Sequence, residues 1–217
     1  MKNKLRSLFI LIAALFAFNS CIGFSMDIQM NRDGSGRVTF EYRLSRLIEN
    51  LGKLDGNESM PAIPVGKTDW ERTAERIGGI RLVSFSSKDE KKDTVYKAVL
   101  DFDNEKALIE ILDPSLEKVS VSRQGQSGRL DILLIDKLNN FDSDMIELIS
   151  ILSQDYEFSV SFSAPVNSTL TLNDANGNNL TAVQNARIIQ TGKKVSFSIG
   201  ILDFLELKNG IKMIFNW

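Results

Sequence analysis

The residues able to do chemistry in this 217-residue chain are few. It contains no histidine, which removes the commonest general base and the commonest metal ligand together. Its one cysteine, Cys21, allows no intrachain disulfide and no cysteine-rich zinc site. Ser115 and Lys118 in "SLEK" have the spacing of a serine–lysine nucleophile motif, but they follow Pro114 at a helix end and the companion motifs are missing. A capped turn is the better reading. "DANGN" at 174–178 sets oxygens around a glycine as calcium loops do, yet the position where such a loop needs its last acid holds Asn185. That stretch reads as a hairpin turn, and "DFDNE" at 101–105 as a strand end followed by a helix cap. No two carboxylates are singled out by spacing for hydrolysis. "DGSG" joins two strands rather than a strand and a helix, so it cradles no phosphate. The chain is therefore read as no enzyme, with no metal and no cofactor.

Cys21 has a different explanation. Lys2, Lys4 and Arg6 precede an uninterrupted apolar stretch from Leu8 to Phe18, and the small Ser20 stands just before the cysteine. A basic start, a short apolar core and a small residue at the cut describe an export signal, and the run is well short of the ~20 residues that span a bilayer. "FNSC" resembles the bacterial lipobox, in the relaxed form found in spirochaete lipoproteins, with Phe18 and Asn19 departing from the usual leucine and small residue. The resemblance implies that residues 1–20 are removed as a lipoprotein signal peptide. It also implies that the Cys21 thiol carries a diacylglyceryl group, with a palmitate-like acyl chain on the new N-terminus. Buried acyl chains contribute ~0.8 kcal/mol per CH₂, so two or three of them hold a protein at a membrane durably. The expected location is the bacterial cell envelope, lipid-anchored at the periplasmic face or the outer membrane.

Composition narrows the partners. Apolar residues make up 43% and charged residues 25%, as in ordinary foldable chains. The net charge is −2, and it becomes more negative once the basic leader is set aside. An acidic body without a basic block argues against nucleic acid, whose phosphates demand clustered cations.

The elements that must position any site follow from periodicity. Phe24, Met26, Ile28 and Met30 alternate with polar residues, starting three residues after Cys21, so residues 21–23 are the only tether before a single domain over 24–217. The turn "NRDGSGRV" leads to a second strand with Val38, Phe40, Tyr42 and Leu44 on one face. Ser45 is read as the cap of a short helix through Leu51. The loop 52–67 follows, and its apolar centre, including Met60, Ile63 and Val65, could act as a lid. Asp69 reads as the N-cap of a helix that turns Trp70, Ala74 and Ile77 inward. Further strands are expected at 80–87, 93–102, 117–123, 129–136, 156–163, 168–172, 186–190, 193–200 and 210–217. Helices are expected at 104–113, 142–153 and 202–207. Hairpins with helices inserted between them give an α+β fold: an antiparallel, strongly twisted sheet with the helices packed on one face, as in helix-grip folds.

Two stretches point to binding. Phe158, Phe162, Phe197, Phe204 and Phe215 concentrate in the C-terminal third, where a curved sheet gripping a helix could present them to an apolar ligand such as an acyl chain. An ordinary filled core uses the same residues. The strands "MDIQMNRDGSGRVTFEYRLS", "YEFSVSFSAPVNSTLTLNDANG" and "TGKKVSFSI" resemble the LppM family of bacterial lipoproteins. Members often have glycine where this chain has Val166 and tryptophan near Phe197. Many also carry a C-terminal membrane helix, and no second apolar span follows Cys21 here. The resemblance implies a soluble domain that holds lipids or other apolar ligands. The expected function is a lipid-anchored envelope protein whose domain binds an apolar or lipid-like ligand. The alternative is a non-catalytic lipoprotein that docks another envelope protein.

Overall fold

A computed structural model describes residues 22–45, 66–135, 156–174, 176–180, 183–205, 207 and 210–217. The expected signal peptide over 1–20, Cys21, the loop residues Met60, Ile63 and Val65, and the helices read at 46–51 and 142–153 lie outside the described residues.

The described elements are β1 (Ile22–Met30), β2 (Gly36–Ser45), α1 (Lys67–Arg76), β3 (Ile80–Asp89), β4 (Asp93–Phe102), α2 (Glu105–Leu112) and β5 (Val119–Gln124). They continue with β6 (Ser127–Ile135), β7 (Glu157–Ser163), β8 (Thr169–Asn173), β9 (Arg187–Thr191), β10 (Lys194–Gly200), α3 (Ile201–Leu205) and β11 (Ile211–Asn216). The fold is α+β, with mostly antiparallel strands and short helices between them. The strands form two sheets rather than one: a seven-stranded sheet in the order β3-β4-β2-β1-β7-β10-β9 and a four-stranded sheet in the order β5-β6-β11-β8.

One pair in the large sheet is parallel. β7 lies beside β1 with Phe24 opposite Phe158 and Ile28 opposite Phe162. β5 and β6 belong to the other sheet, so the chain returns to β7 by a long crossover, and such connections are what permit parallel neighbours.

Alternation sorts the large sheet's side chains onto two faces. Val38, Phe40, Tyr42 and Leu44 are buried on β2, as their spacing predicts, and Tyr96, Ala98, Leu100 and Phe102 are buried opposite them on β4. Met26, Ile28, Val160, Phe162, Val195, Phe197 and Ile199 continue this inner face. The small sheet packs over one end of it, where the Phe162 ring lies 5.3 Å from Phe215 and 5.0 Å from Trp217. Helix α1 covers another part, with Trp70 stacked 5.3 Å from Phe40.

Local signals explain the helix ends. Asn104 caps α2 through its side-chain oxygen, which accepts from the Ala107 N–H at 3.0 Å. Helix α1 begins at Lys67, not after Asp69 as predicted: Asp69 sits in the first turn and accepts from the Gly66 N–H at 3.1 Å. An acid at this position satisfies a backbone donor just as a cap does, so the sequence signal was real but three residues inside. The first strand also begins earlier than its apolar alternation, at Ile22.

The "DGSG" turn has a tertiary task. Arg123 of β5 donates to the carbonyls of Arg32 and Asp33, and its Nε lies 2.6 Å from Glu105 of α2. Gly34 has φ 88°, and a Cβ there would stand 2.8 Å from the Glu105 carboxylate. Only glycine accepts both the dihedral and the approach.

Candidate functional site

The five phenylalanines expected to line a cavity divide into two groups. Phe162, Phe197 and Phe215 have 0% exposure, so no void wide enough for water touches them. They fill the core between the sheets. Phe158 and Phe204 are half-buried and stack on each other, their centroids 4.7 Å apart and their planes 12° from parallel.

That pair belongs to a longer aromatic row. Phe158 stacks on Phe24 at 5.6 Å, Phe24 meets Phe40 at 6.3 Å, and Phe40 stacks on Trp70. Beside the row, Tyr42 stacks 5.2 Å from Tyr96, which meets Phe85 at 6.4 Å. Period-two spacing produces the row: Phe158, Phe24 and Tyr42 are successive cross-strand partners, and Phe40 is one pleat further along β2. Phe24, Phe85, Phe158 and Phe204 are only partly buried, whereas Phe40, Tyr42, Trp70 and Tyr96 are buried. The face is thus apolar, aromatic and open at one margin.

It also encloses two polar groups. The Tyr42 hydroxyl lies beside the Trp70 indole, yet among the described residues neither the hydroxyl nor the indole nitrogen completes a well-formed hydrogen bond. Burial pushes the Tyr42 hydroxyl up to about 12. A buried polar group left unpaired costs ~1–3 kcal/mol.

The opposite face of the large sheet is polar. Register places Glu41, Ser25, Ser159 and Ser198 in one cross-strand row, and Thr39, Asp27, Ser161 and Ser196 in the next. The hydroxyls of Ser161 and Ser196 are 2.8 Å apart, and Lys194 reaches Asp27 at 3.1 Å. A shallow cleft of about 250 Å³ opens here between Arg43 and Glu41 on one side and Tyr156 and Glu157 on the other, floored by Gly23, Ser25 and Ser159. Its origin is Gly23, where a Cβ would stand 3.2 Å from the Tyr156 ring. The cleft's charged groups are largely engaged: Arg43 holds Glu90 at 2.9 Å, Glu157 pairs with Arg187 at 3.5 Å, and the Tyr156 hydroxyl donates to Asp93 at 2.6 Å.

The motifs that invited catalytic readings are turns. The Ser115 hydroxyl is bound to the Asp113 carboxylate, which also accepts from the backbone N–H groups of Ser115, Lys118 and Val119. Lys118 is exposed, and its side chain has no part in that cluster. Asp174 accepts from the N–H groups of Asn176 and Asn178 and from the Asn178 side chain, closing a hairpin turn with its own carboxylate.

Sequence reasoning missed Phe24, Phe40, Tyr42 and Trp70 as parts of the aromatic face. Each was read as an inward residue of its own element. Phe24 and Tyr42 are partners across the β1–β2 hairpin and Trp70 reaches Phe40 from α1, but the pairing of β1 with β7 that joins them to Phe158 and Phe204 leaves no mark in either strand's composition.

No protein-family model matches the chain, and no curated protein matches it. Among solved structures, it is similar to the folded domain of LppM from Mycobacterium tuberculosis, determined by NMR, at 11% identity and a TM-score of 0.46, over 90% of this chain and 88% of that one. Among the described residues, no helix is long and apolar enough to cross a membrane.

Proposed function

We propose that this chain is a lipid-anchored protein of the bacterial cell envelope whose domain binds an apolar or lipid-like ligand on the aromatic face of its large sheet. The observation that supports the reading is the continuous row Phe204–Phe158–Phe24–Phe40–Trp70, half-buried at one end. An acyl chain or flat apolar group laid along the rings buries area at ~25 cal/mol per Å². A polar head is left at the open margin beside Phe24, Phe158 and Phe204, since the Tyr42 hydroxyl and the Trp70 indole nitrogen are enclosed. Anchoring is assigned to Cys21 on its signal-like context, and the wholly buried Phe162, Phe197 and Phe215 take a packing role only.

The test is native mass spectrometry of the full chain carrying Cys21→Ala, made in bacteria and purified without detergent. The substitution removes the covalent lipid, so any lipid mass that remains is bound non-covalently. A bound phospholipid or fatty acid, lost on solvent extraction, is expected. A clean apo mass that takes up no lipid from offered micelles or vesicles rejects the reading.

Docking of another envelope protein is the second reading. It draws support from the polar face, where Ser25, Ser159, Ser161, Ser163, Ser196 and Ser198 form adjacent rows of short side chains that leave the sheet accessible.

A further inference from the structure

The two edges of the large sheet are built differently. On β3 the register breaks between Leu82 and Ser84, leaving Val83 as a bulge, and the strand carries Arg81, Lys88 and Asp89. Helix α1 packs against it as well. Bulges, charges and a covering helix are the devices that keep a sheet edge from pairing with another chain. β9 has none of them apart from Arg187 at its start and its shortness. All its residues are exposed, its register with β10 is unbroken, and Ile188 and Ile189 are 51% and 55% exposed on opposite faces.

The direction of its free backbone groups follows from the turn. Thr191 and Lys194 flank a two-residue loop and are partners, so they exchange hydrogen bonds. Alternation then directs the backbone groups of Thr191, Ile189 and Arg187 toward β10 and those of Ile188 and Gln190 outward. Among the described residues no other element takes up those outward groups.

We infer that β9 is a self-association edge, on which a second copy of this chain pairs antiparallel about a two-fold axis at Ile189. The register closes on itself. Ile188 meets the partner's Gln190 and Gln190 meets the partner's Ile188, each a fully hydrogen-bonded pair. Ile189 then faces the partner's Ile189 at the close, non-hydrogen-bonded position, where side-chain contact is greatest. A two-fold interface needs this reciprocity. Charge permits it, because Arg187 is paired with Glu157 and Lys194 with Asp27 in each copy. One short strand buries less than the ~1,200 Å² of a standard stable interface, so the dimer is weak and exchanges rapidly.

Disulfide trapping suits such a contact, since facing non-hydrogen-bonded residues lie ~4.5 Å apart at Cα, within the span of a disulfide. In the full chain with Cys21→Ala, Ile189→Cys is expected to give a linked dimer under mild oxidation many times faster than Val83→Cys, a comparably exposed residue on the other edge. Adding Gln190→Pro, which deletes an outward N–H that bonds to nothing among the described residues, is expected to abolish the excess. Mixing Ile189→Lys with Ile189→Glu chains is expected to produce a heterodimer by sedimentation where neither alone associates. Equal crosslinking at the two edges overturns the inference, as does a monomer at millimolar concentration with no heterodimer in the mixture.

Discussion

Phe158 of β7 and Phe204 of α3 stack face to face at 4.7 Å, and the same Phe158 ring stacks on Phe24 at 5.6 Å. The short helix after β10 thus returns an aromatic ring onto the strand that lies parallel to β1. One half-buried ring is thereby held between two others, giving the aromatic face its continuity. Stacked pairs contribute ~0.5–1.5 kcal/mol beyond their area.

Phe158→Asp is expected to abolish lipid uptake in the native-mass assay, because it places a carboxylate in the middle of the row. Since the ring also packs, Phe204→Ser is the companion variant: its side chain stands at the margin, so the fold should survive by circular dichroism while lipid retention drops several-fold. Undiminished retention in a folded Phe204→Ser chain rejects the aromatic row as the binding surface.

Tyr42→Phe deletes a buried hydroxyl that has no well-formed partner. Stability at neutral pH is expected to hold or to rise by up to ~1 kcal/mol, since no hydrogen bond is lost with it. The same hydroxyl has its folded value raised by burial to about 12 from an ordinary 10. Its stabilising share is therefore full below pH 10 and is lost as pH climbs toward 12. Alkaline urea titrations should show a shallower loss in Tyr42→Phe than in the parent.

Much of the architecture is legible in the sequence where a signal is local. The alternation of Val38, Phe40, Tyr42 and Leu44 gives the buried face of β2, Asn104 marks the start of α2, and Trp70 turns inward on α1. Asp113 and Asp174 organise the turns that "SLEK" and "DANGN" suggested. Illegible were the facts that depend on distant pairing. Nothing in "FSMDIQM" or "EFSVSFS" states that they lie side by side in parallel, since alternation is the same for either direction. The division into two sheets is hidden for the same reason, and it decides which phenylalanines fill the core and which stay half-open. Phe162 and Phe158 have the same residue type and the same strand face; only the small sheet packed over Phe162 distinguishes them.

Arg123 ties β5 to two other elements: the β1–β2 turn through two carbonyls, and α2 through Glu105. Arg123→Ala is expected to cost about 2 kcal/mol, in line with charge-assisted hydrogen bonds of ~1.5–3 kcal/mol, read as a lower urea midpoint at unchanged slope. Arg123→Lys should not restore it, because an ammonium lacks the planar fork that reaches both carbonyls and the carboxylate. Full rescue by lysine removes the fork argument.

Asp113 gives the fold an acid limit. Its residue is 7% exposed, and burial alone would raise its carboxyl. The Ser115 hydroxyl and the N–H groups of Lys118 and Ser115 outweigh that, lowering it to about 2 from 3.8. A depressed folded value means the unfolded chain binds the proton more readily. The contribution, ~2 kcal/mol by linkage, is therefore present above pH 4 and drains away as pH falls from about 4 to 2. Asp113→Asn keeps one acceptor oxygen but has no charge to protonate. It is expected to be less stable than the parent at pH 7, with the difference shrinking steadily below pH 4. Thermal melts of both chains from pH 7 to pH 2 check this, and two curves that stay parallel throughout would place the acid limit elsewhere, with Asp131 beneath Arg129 and Lys212 the next carboxylate to substitute.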